Sequence, residues 1–265
     1  MMSELANYFC QKQTVEVNLV LYGIKPTIFY SLPGNILIHK PEFIFNNRYR
    51  FWYALRTAYF LRKKINQIQP YTILNFGEYF NSFIILSLIG IKIPIYVSDR
   101  CQPNKSLGVI HDTLRKILYP HTSGVIVQTN VAREIYQRIL PKAKIIVIPN
   151  PIRNLTAHPE LTRENIVLSV GRLIKSKHHD ELIKLFLQIN MPGWKLVIVG
   201  DDALRQKNMA ALKALVRELH AEDKVILTGM CNDVDLYYRR SKIFAFTSSS
   251  EGFPNVIGEA MSAGI

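Results

Sequence analysis

The feature that most constrains the fold is the alternation of short apolar runs with amphipathic stretches along the chain. Runs such as residues 124–128 and 195–199 have the length of buried strands, and each is followed by a stretch with helical spacing. Strands that alternate with helices in this way are typical of parallel sheets covered by helices on both faces. We therefore expect an α/β protein.

The alternation is broken once, at Pro149-Asn150-Pro151, and the residues through Arg163 are polar without a clear period. The sequence predicts a first domain over residues 1–150, a linker over 151–163 and a second domain over 164–265, both doubly wound. Ligands of such sheets bind outside the carboxyl ends of the strands. In the second domain we predict strands at 166–170, 195–199, 225–227 and 243–247, and helices at 179–189, 204–220, 234–240 and 255–263.

The charge of the 265 residues is unevenly spread. The net charge is +13, of which residues 1–150 carry +11 and the remainder +2. A hydrophobic content of 48% with 20% charged residues is typical of a globular chain. The difference between the halves indicates two domains with different partners.

The three cysteines, Cys10, Cys101 and Cys231, have neither the spacing of metal ligands nor that of a disulfide framework. We expect a reduced, cytoplasmic setting. The first residues lack the pattern of a signal peptide. The most apolar stretch, residues 80–97, is interrupted by Gly90 and Pro94, so we predict a buried helix and strand rather than a membrane span.

The stretch Ser248–Met261 carries the clearest chemical pattern. A predicted strand runs into a polar loop with Glu251 and Gly252, and a helix is expected to start around Pro254, which suits a first helical position. Free amides at a helix start favour an anion such as phosphate, while Glu251 and Glu259 can accept hydrogen bonds from hydroxyls. This combination fits a nucleotide sugar. The alternative is an ordinary strand–loop–helix unit.

Two further strand ends in the second half would face the same crevice. Gly171 permits a tight turn after the first strand, and Arg172 and Lys177 could bind a diphosphate there. A solvated basic loop is the alternative. After residue 227, an open backbone at Gly229 and Met230 could hold a flat base.

These motifs, in order, resemble a known family. The segments VGRLIKSK, VIVGDD, LTGMCNDVDLYYRRS and SSSEGFPNVIGEAMSAG look like the donor domain of the family 4 retaining glycosyltransferases, and VIVQTNVAREIYQRIL and IIVIPNPI resemble the end of that family's first domain and its hinge. The resemblance implies two Rossmann-like domains facing across a cleft (GT-B type). It also implies transfer of a hexose or N-acetylhexosamine from a nucleotide sugar, UDP-linked by default, with retention and without a metal or other cofactor.

The resemblance also implies residue roles. It assigns Arg172 and Lys177 to the donor diphosphate and Glu259 to the ribose. It assigns Glu251, with the backbone of Gly252 and Phe253, to the hexose hydroxyls. The catalytic candidates are Glu251, Arg172 and Lys177. The donor-binding candidates also include Gly171, Gly229, Met230, Gly252, Phe253, Pro254, Asn255 and Glu259.

The first domain is expected to bind the acceptor, a glycan or lipid-linked saccharide used in surface polysaccharide or glycan synthesis. Glu78 and Arg100, at predicted strand ends, are the acceptor-side candidates; a surface glutamate and a salt bridge near Asp99 are the alternatives. Residues 40–64 carry seven Lys or Arg, one acid and eight interleaved aromatic residues. This composition predicts contact with an anionic membrane surface, unless the aromatic side chains face the core.

Family members open with a strand and a glycine-rich loop and continue beyond the last motif found here, so the resemblance predicts a chain trimmed at both ends. Three interpretations stay open: an active transferase, a catalytically silent transferase fragment and a basic nucleic-acid-binding protein. No RNA- or DNA-binding motif accompanies the cations, which argues against nucleic acid. We expect a cytoplasmic location, with a peripheral position on the inner face of the membrane as an open alternative.

Overall fold

A computed structural model describes residues 2–12, 14–23, 32–155, 162–204 and 206–265. The chain divides into two compact units, Met1–Pro151 and Ile152–Ile265. Part of the predicted linker, residues 156–161, lies outside the described residues. Within the described ranges, no helix is both long and apolar enough to cross a membrane.

The first unit contains two parallel sheets. A short pair joins β1 (Asn18–Val20) to β2 (Leu37–His39), and the larger sheet has the order β3-β4-β5-β6, with neighbours parallel. Its strands are β3 (Ile73–Phe76), β4 (Ile95–Ser98), β5 (Gly124–Val127) and β6 (Ile145–Val147). Its helices are α1 (Met2–Cys10), α2 (Arg50–Ile68), α3 (Glu78–Ser87), α4 (Val109–Leu118) and α5 (Asn130–Ile139).

The second unit contains one parallel sheet with the order β10-β7-β8-β9. Its strands are β7 (Glu164–Val170), β8 (Lys195–Val199), β9 (Val225–Leu227) and β10 (Ser241–Phe244). Its helices are α6 (His179–Ile189), α7 (Asn208–Glu218), α8 (Val234–Arg240) and α9 (Asn255–Ser262).

Alternate residues of the central strands bury on opposite faces of this sheet. Val167 and Leu196 pack with α6 and α7, whereas Leu168 and Val197 pack with α8 and α9. Successive side chains of a strand point to opposite faces, so a strand between two helical layers is apolar throughout. This confirms the predicted α/β class with parallel sheets.

Two predicted boundaries in this unit are wrong. The helix predicted from Leu204 starts at Asn208, because Leu204 has a positive φ of 56° and the Asp202 carboxylate accepts a hydrogen bond from the Met209 amide (2.8 Å). The strand predicted over 243–247 occupies Ser241–Phe244, where its pairing with β7 shifts register between Ser241 and Ile243.

Candidate active site

The candidate site lies where the strand order of the second unit changes direction. From β7 the chain moves outward through β8 to β9 and then returns to place β10 on the other side of β7. The connections after β7 and β10 therefore diverge from adjacent carboxyl ends, which is the usual ligand position in open α/β sheets. These two connections carry Arg172, Lys177 and Glu251.

A short ion pair joins the two connections. The Lys177 ammonium lies 2.5 Å from Glu251 Oε1, and the Ser248 hydroxyl donates to the same oxygen at 2.8 Å. The Thr247 hydroxyl donates to the Lys177 carbonyl at 2.6 Å, and the Lys177 ammonium lies 5.4 Å from the centre of the Phe246 ring. The cation and the carboxylate that the sequence assigned to two parts of one donor are thus in direct contact.

Three glycines follow β7, β8 and β9 and bring these strand ends together. A Cβ on Gly200, which has φ of +150°, would lie 1.8 Å from the Gly171 carbonyl oxygen. The Gly200 amide donates to the Gly229 carbonyl at 3.2 Å. Only a residue without a side chain allows this approach at Gly200, so the turns after the three strands form one continuous backbone surface.

Two other side chains at this edge, those of Arg172 and Met230, are open to solvent. Arg172 is exposed, and no ion pair joins it to another residue within the described ranges. Met230, beside Gly229, is 69% exposed. A guanidinium in this position is available to an anionic ligand.

The start of α9 differs slightly from the prediction. Pro254 is the N-cap residue, with a non-helical ψ of 90°, and Asn255 is the first helical residue. Gly252 and Phe253 are half-buried before it. The first amides of α9 nevertheless follow the acidic loop directly, as the sequence predicted.

Glu259 is held by protein groups that the sequence did not reveal. Its Oε1 accepts from Arg153 Nε at 3.2 Å, and its Oε2 accepts from the Tyr238 hydroxyl at 3.0 Å. Arg153 also contacts Asp235 Oδ1 at 2.9 Å. More than 100 residues separate Arg153 from Glu259, and a contact over such a distance in sequence cannot be predicted from a local pattern.

In the first unit, Glu78 is a buried residue rather than a surface glutamate. Its side chain is at the start of α3, and its Oε1 accepts hydrogen bonds from the amides of Arg100 and Cys101. It is only 7% exposed. Its carboxylate therefore fixes the loop after β4, where the sequence had placed an acceptor group.

Arg100 packs within the same unit. Its Nη1 donates to Asn150, and its guanidinium lies 5.1 Å from the centre of the Phe76 ring. The pKa of Arg100 is lowered to about 10, because the effect of burial exceeds the opposing effect of the Glu78 charge. The Nε of Arg100 is buried without a hydrogen-bond partner in the described part of the chain. The salt bridge near Asp99 considered for Arg100 is absent from the described contacts.

The sequence also missed a buried polar cluster at the end of β4. The Asp99 carboxylate accepts from Asn81 (2.6 Å), from Tyr119 (2.9 Å) and from Tyr136 (2.5 Å). Burial raises the pKa of Asp99 to about 6, and the hydrogen bonds from the two phenols oppose that rise. Gln128 Nε2 donates to the Asp99 carbonyl at 2.5 Å. The cluster therefore joins α3, α5 and the residues that directly follow α4 and β5 to this strand end.

A second surface of the first unit is basic and aromatic. An open groove of about 610 Å³ lies between residues 40–43 and α2. On α2, Trp52 is 62% exposed and Tyr59 is 69% exposed, so these aromatic side chains do not face the core. The cations that line the groove are Lys40, Arg56, Lys63 and Lys64.

No group of three or more His, Cys, Asp or Glu side chains within the described ranges is arranged to hold a metal ion. The free cysteines Cys10, Cys101 and Cys231 are all half-buried.

Comparison with known proteins identifies the family. A sequence model described as "Glycosyl transferases group 1" matches residues 153–265. A protein of Haemophilus influenzae, described as an uncharacterized glycosyltransferase, is 30% identical over 252 residues, which cover 89% of this chain and 69% of that protein. The chain belongs to the group 1 glycosyltransferases.

Other relatives and structures agree with this assignment. An α-1,4-N-acetyl-D-galactosaminyltransferase of Campylobacter jejuni, whose name specifies a PP-undecaprenol-linked saccharide, is 25% identical over 97% of this chain and 71% of its own. The structure of Anabaena HepE with UDP matches 94% of this chain and 79% of that chain, with a TM-score of 0.70 at 16% identity. TarM matches with a TM-score of 0.65, but only 43% of its chain is covered. At these identities the two structures show the shared fold, the GT-B type.

Proposed function

We propose that this glycosyltransferase moves a hexose or N-acetylhexosamine from a UDP-sugar to a lipid-linked saccharide, with retention of the anomeric configuration. The observation that carries the proposal is the contact between Lys177 and Glu251, which joins a basic and an acidic strand-end loop at 2.5 Å. A diphosphate and a sugar are neighbours in a nucleotide sugar, so a cation and a carboxylate that lie side by side match both parts of one ligand.

In this mechanism the diphosphate receives charge from two side chains. Arg172 forks onto the phosphate oxygens, and Lys177 leaves Glu251 to meet the diphosphate when the donor binds. As the bond between the sugar and the diphosphate breaks, negative charge grows on the leaving group. Arg172, Lys177 in its new position and the first amides of α9 stabilise that charge without a metal.

Glu251 then accepts hydrogen bonds from the hexose hydroxyls. The hydroxyl of Ser248 keeps one of its oxygens in place after Lys177 departs, since it already donates to Oε1 at 2.8 Å. The acceptor hydroxyl attacks the anomeric carbon from the face that the diphosphate leaves and gives its proton to the departing phosphate oxygen, so the configuration is retained. Glu259 binds the ribose, and the backbone at Gly229 and Met230 lies against the base.

Two observations support a lipid-linked acceptor. Two relatives from Campylobacter jejuni, 25% and 29% identical to this chain, are named for undecaprenol-diphosphate-linked saccharides. In this chain the exposed aromatic side chains of α2 lie beside Lys63 and Lys64. We propose that this surface contacts the anionic membrane that carries the acceptor.

The test is a transfer assay with a panel of UDP- and GDP-sugars and undecaprenol-diphosphate-linked saccharides, with and without EDTA. We expect release of UDP and an α-linked product by NMR, unaffected by EDTA. Arg172→Met should lower kcat by about 100-fold or more, because it removes one preorganised positive group from the transition state. Lys213→Met, which changes an exposed cation of α7, is the matched control.

The outcomes separate the competing interpretations. Binding of UDP without transfer to any acceptor would favour a catalytically silent protein. An inverted product would overturn retention alone. Salt-sensitive binding of DNA or RNA without any effect of nucleotides would overturn the transferase proposal.

A further inference from the structure

The segment that opens the second unit is fixed along α9. The Ile152 side chain fills the space beside Gly258, where a Cβ would lie 2.6 Å from Ile152 Cδ1. Three residues later, the Leu155 amide donates to the Ser262 hydroxyl at 2.9 Å, and the Leu155 side chain is buried. Arg153 is therefore held between two anchor points on the helix that carries Glu259.

Both oxygens of the Glu259 carboxylate have a protein donor. Arg153 Nε approaches Oε1 at 3.2 Å, and the Tyr238 hydroxyl donates to Oε2 at 3.0 Å. A carboxylate offers about four acceptor positions. About two positions therefore remain for a ligand, and the carboxylate cannot rotate without breaking one of the existing contacts.

Helix α8 completes the arrangement. Asp235 and Tyr238 are three residues apart and so share one face of this helix. Asp235 contacts Arg153 Nη1 at 2.9 Å, while the fully buried Tyr238 reaches Glu259 directly. The guanidinium thus bridges two carboxylates that belong to different helices.

The protonation states suit this role. Burial lowers the pKa of Arg153, but its hydrogen bond to Glu259 and the charges of Glu259 and Asp235 more than offset that effect, so the pKa is raised. Burial and the charge of Glu259 raise the pKa of Tyr238. Both groups therefore keep the proton that they donate.

We propose that Arg153 and Tyr238 are positioning residues that orient the Glu259 carboxylate towards the two ribose hydroxyls of the donor nucleotide. The inference rests on the proposed function, because it requires a nucleotide at this site. Neither residue needs to touch the ligand. Each acts by restricting the carboxylate to the orientation in which its free acceptor positions meet the 2′- and 3′-hydroxyls.

The test compares binding of UDP and of 2′,3′-dideoxy-UDP by calorimetry, with the GDP pair used instead if GDP binds more tightly. Arg153→Met and Tyr238→Phe should each weaken binding of the ribonucleotide about 10-fold, as expected for hydrogen bonds to a charged group, and leave the dideoxynucleotide unchanged. A purely structural role would not produce this difference. Combining Arg153→Met with Glu259→Ala should cost no more than Glu259→Ala alone.

Arg240→Met is the matched control, since Arg240 lies on α8 with Tyr238 but pairs with Glu164 on the surface, at 2.6 Å. It should leave both affinities unchanged. Equal weakening of both nucleotides by Arg153→Met would mean direct contact with the ligand and would overturn the inference. The inference would also be overturned if Glu259→Ala weakened binding of the ribonucleotide while Arg153→Met and Tyr238→Phe left its affinity unchanged. If the wild-type protein binds neither UDP nor GDP, the proposed function fails first.

Discussion

Two buried carboxylates, Glu78 and Asp99, determine the shape of the loop after β4. The Glu78 carboxylate accepts hydrogen bonds from the backbone amides of Arg100 and Cys101. The Asp99 carboxylate accepts hydrogen bonds from two tyrosine hydroxyls and from one asparagine side chain. A buried carboxylate is tolerated only when such donors surround it. The base of the loop after β4 is therefore held in place by these hydrogen bonds.

The raised pKa of Asp99 predicts a specific pH dependence of stability. Its folded-state pKa is about 6 against an ordinary value of 3.8, because burial disfavours the charged form. The stability contributed by protonation is fully present below about 3.8 and is lost as the pH rises through 6. Between pH 7 and pH 5, the free energy of unfolding of the wild type should gain on the order of 1 kcal/mol more than that of Asp99→Asn. Urea unfolding at the two pH values measures this, and parallel curves would contradict it.

The sequence predicted Arg172, Lys177, Glu251 and Glu259 as donor-binding candidates because each lies at or beyond a predicted strand end, in residue types that bind phosphate or hydroxyls. It could not identify Arg153 or Tyr238. Their contact with Glu259 depends on how residues 152–155 and α8 pack on α9. Such packing produces no periodic pattern in the sequence. Glu78 was chosen for its position, but its burial follows from tertiary structure alone.

At the level of elements, the apolar runs of β7 and β8 were predictable because these two central strands are buried on both faces. The edge strand β10 was misplaced by about two residues. Among the described strands of this sheet, β10 pairs with β7 alone, and the register of that pairing shifts between Ser241 and Ile243. The first residue of α7 could not be predicted from the sequence either, since it depends on the hydrogen bond of the Asp202 carboxylate and on the positive φ of Leu204.

The close approach of the turns after β7 and β8 predicts that Gly200→Ala is severely destabilising. The new Cβ would lie 1.8 Å from the Gly171 carbonyl oxygen, so the backbone of one turn must move. We expect a loss of about 3 kcal/mol in the free energy of unfolding. Gly193→Ala is the control. Gly193 also has a positive φ, of 75°, but open space around it. It should cost about 1 kcal/mol. Equal losses in the two variants by chemical unfolding would show that the contact does not matter.

At the level of the whole molecule, the two units differ in net charge. The first 150 residues carry +11 and the rest +2. In the first unit, cations and exposed aromatic side chains share the surface of α2. The division between a nearly neutral unit with the nucleotide-sugar candidates and a basic unit agrees with two ligands of different character.

This distribution predicts selective binding to anionic vesicles. The protein should sediment with phosphatidylglycerol vesicles but not with phosphatidylcholine vesicles, and added NaCl should weaken the binding. Reversing both charges in Lys63→Glu/Lys64→Glu should lower the affinity at least 10-fold, since each basic residue near the surface contributes about 1 kcal/mol. The double substitution Lys213→Glu/Arg217→Glu, which changes the net charge by the same amount at two exposed positions of α7, is the control. Equal effects of the two variants would indicate a response to net charge and would remove α2 from the interface.

The anchoring of residues 152–155 along α9 also has a consequence for synthesis on the ribosome. Leu155 meets Ser262 only after 107 further residues have been added, which takes about 5–20 s at ordinary elongation rates. Until then the Leu155 side chain lacks the part of its cluster that α9 and the residue after it supply, Ala260 and Ala263. The second unit thus emerges with an unfinished core, and its apolar side chains are exposed to chaperones during this interval.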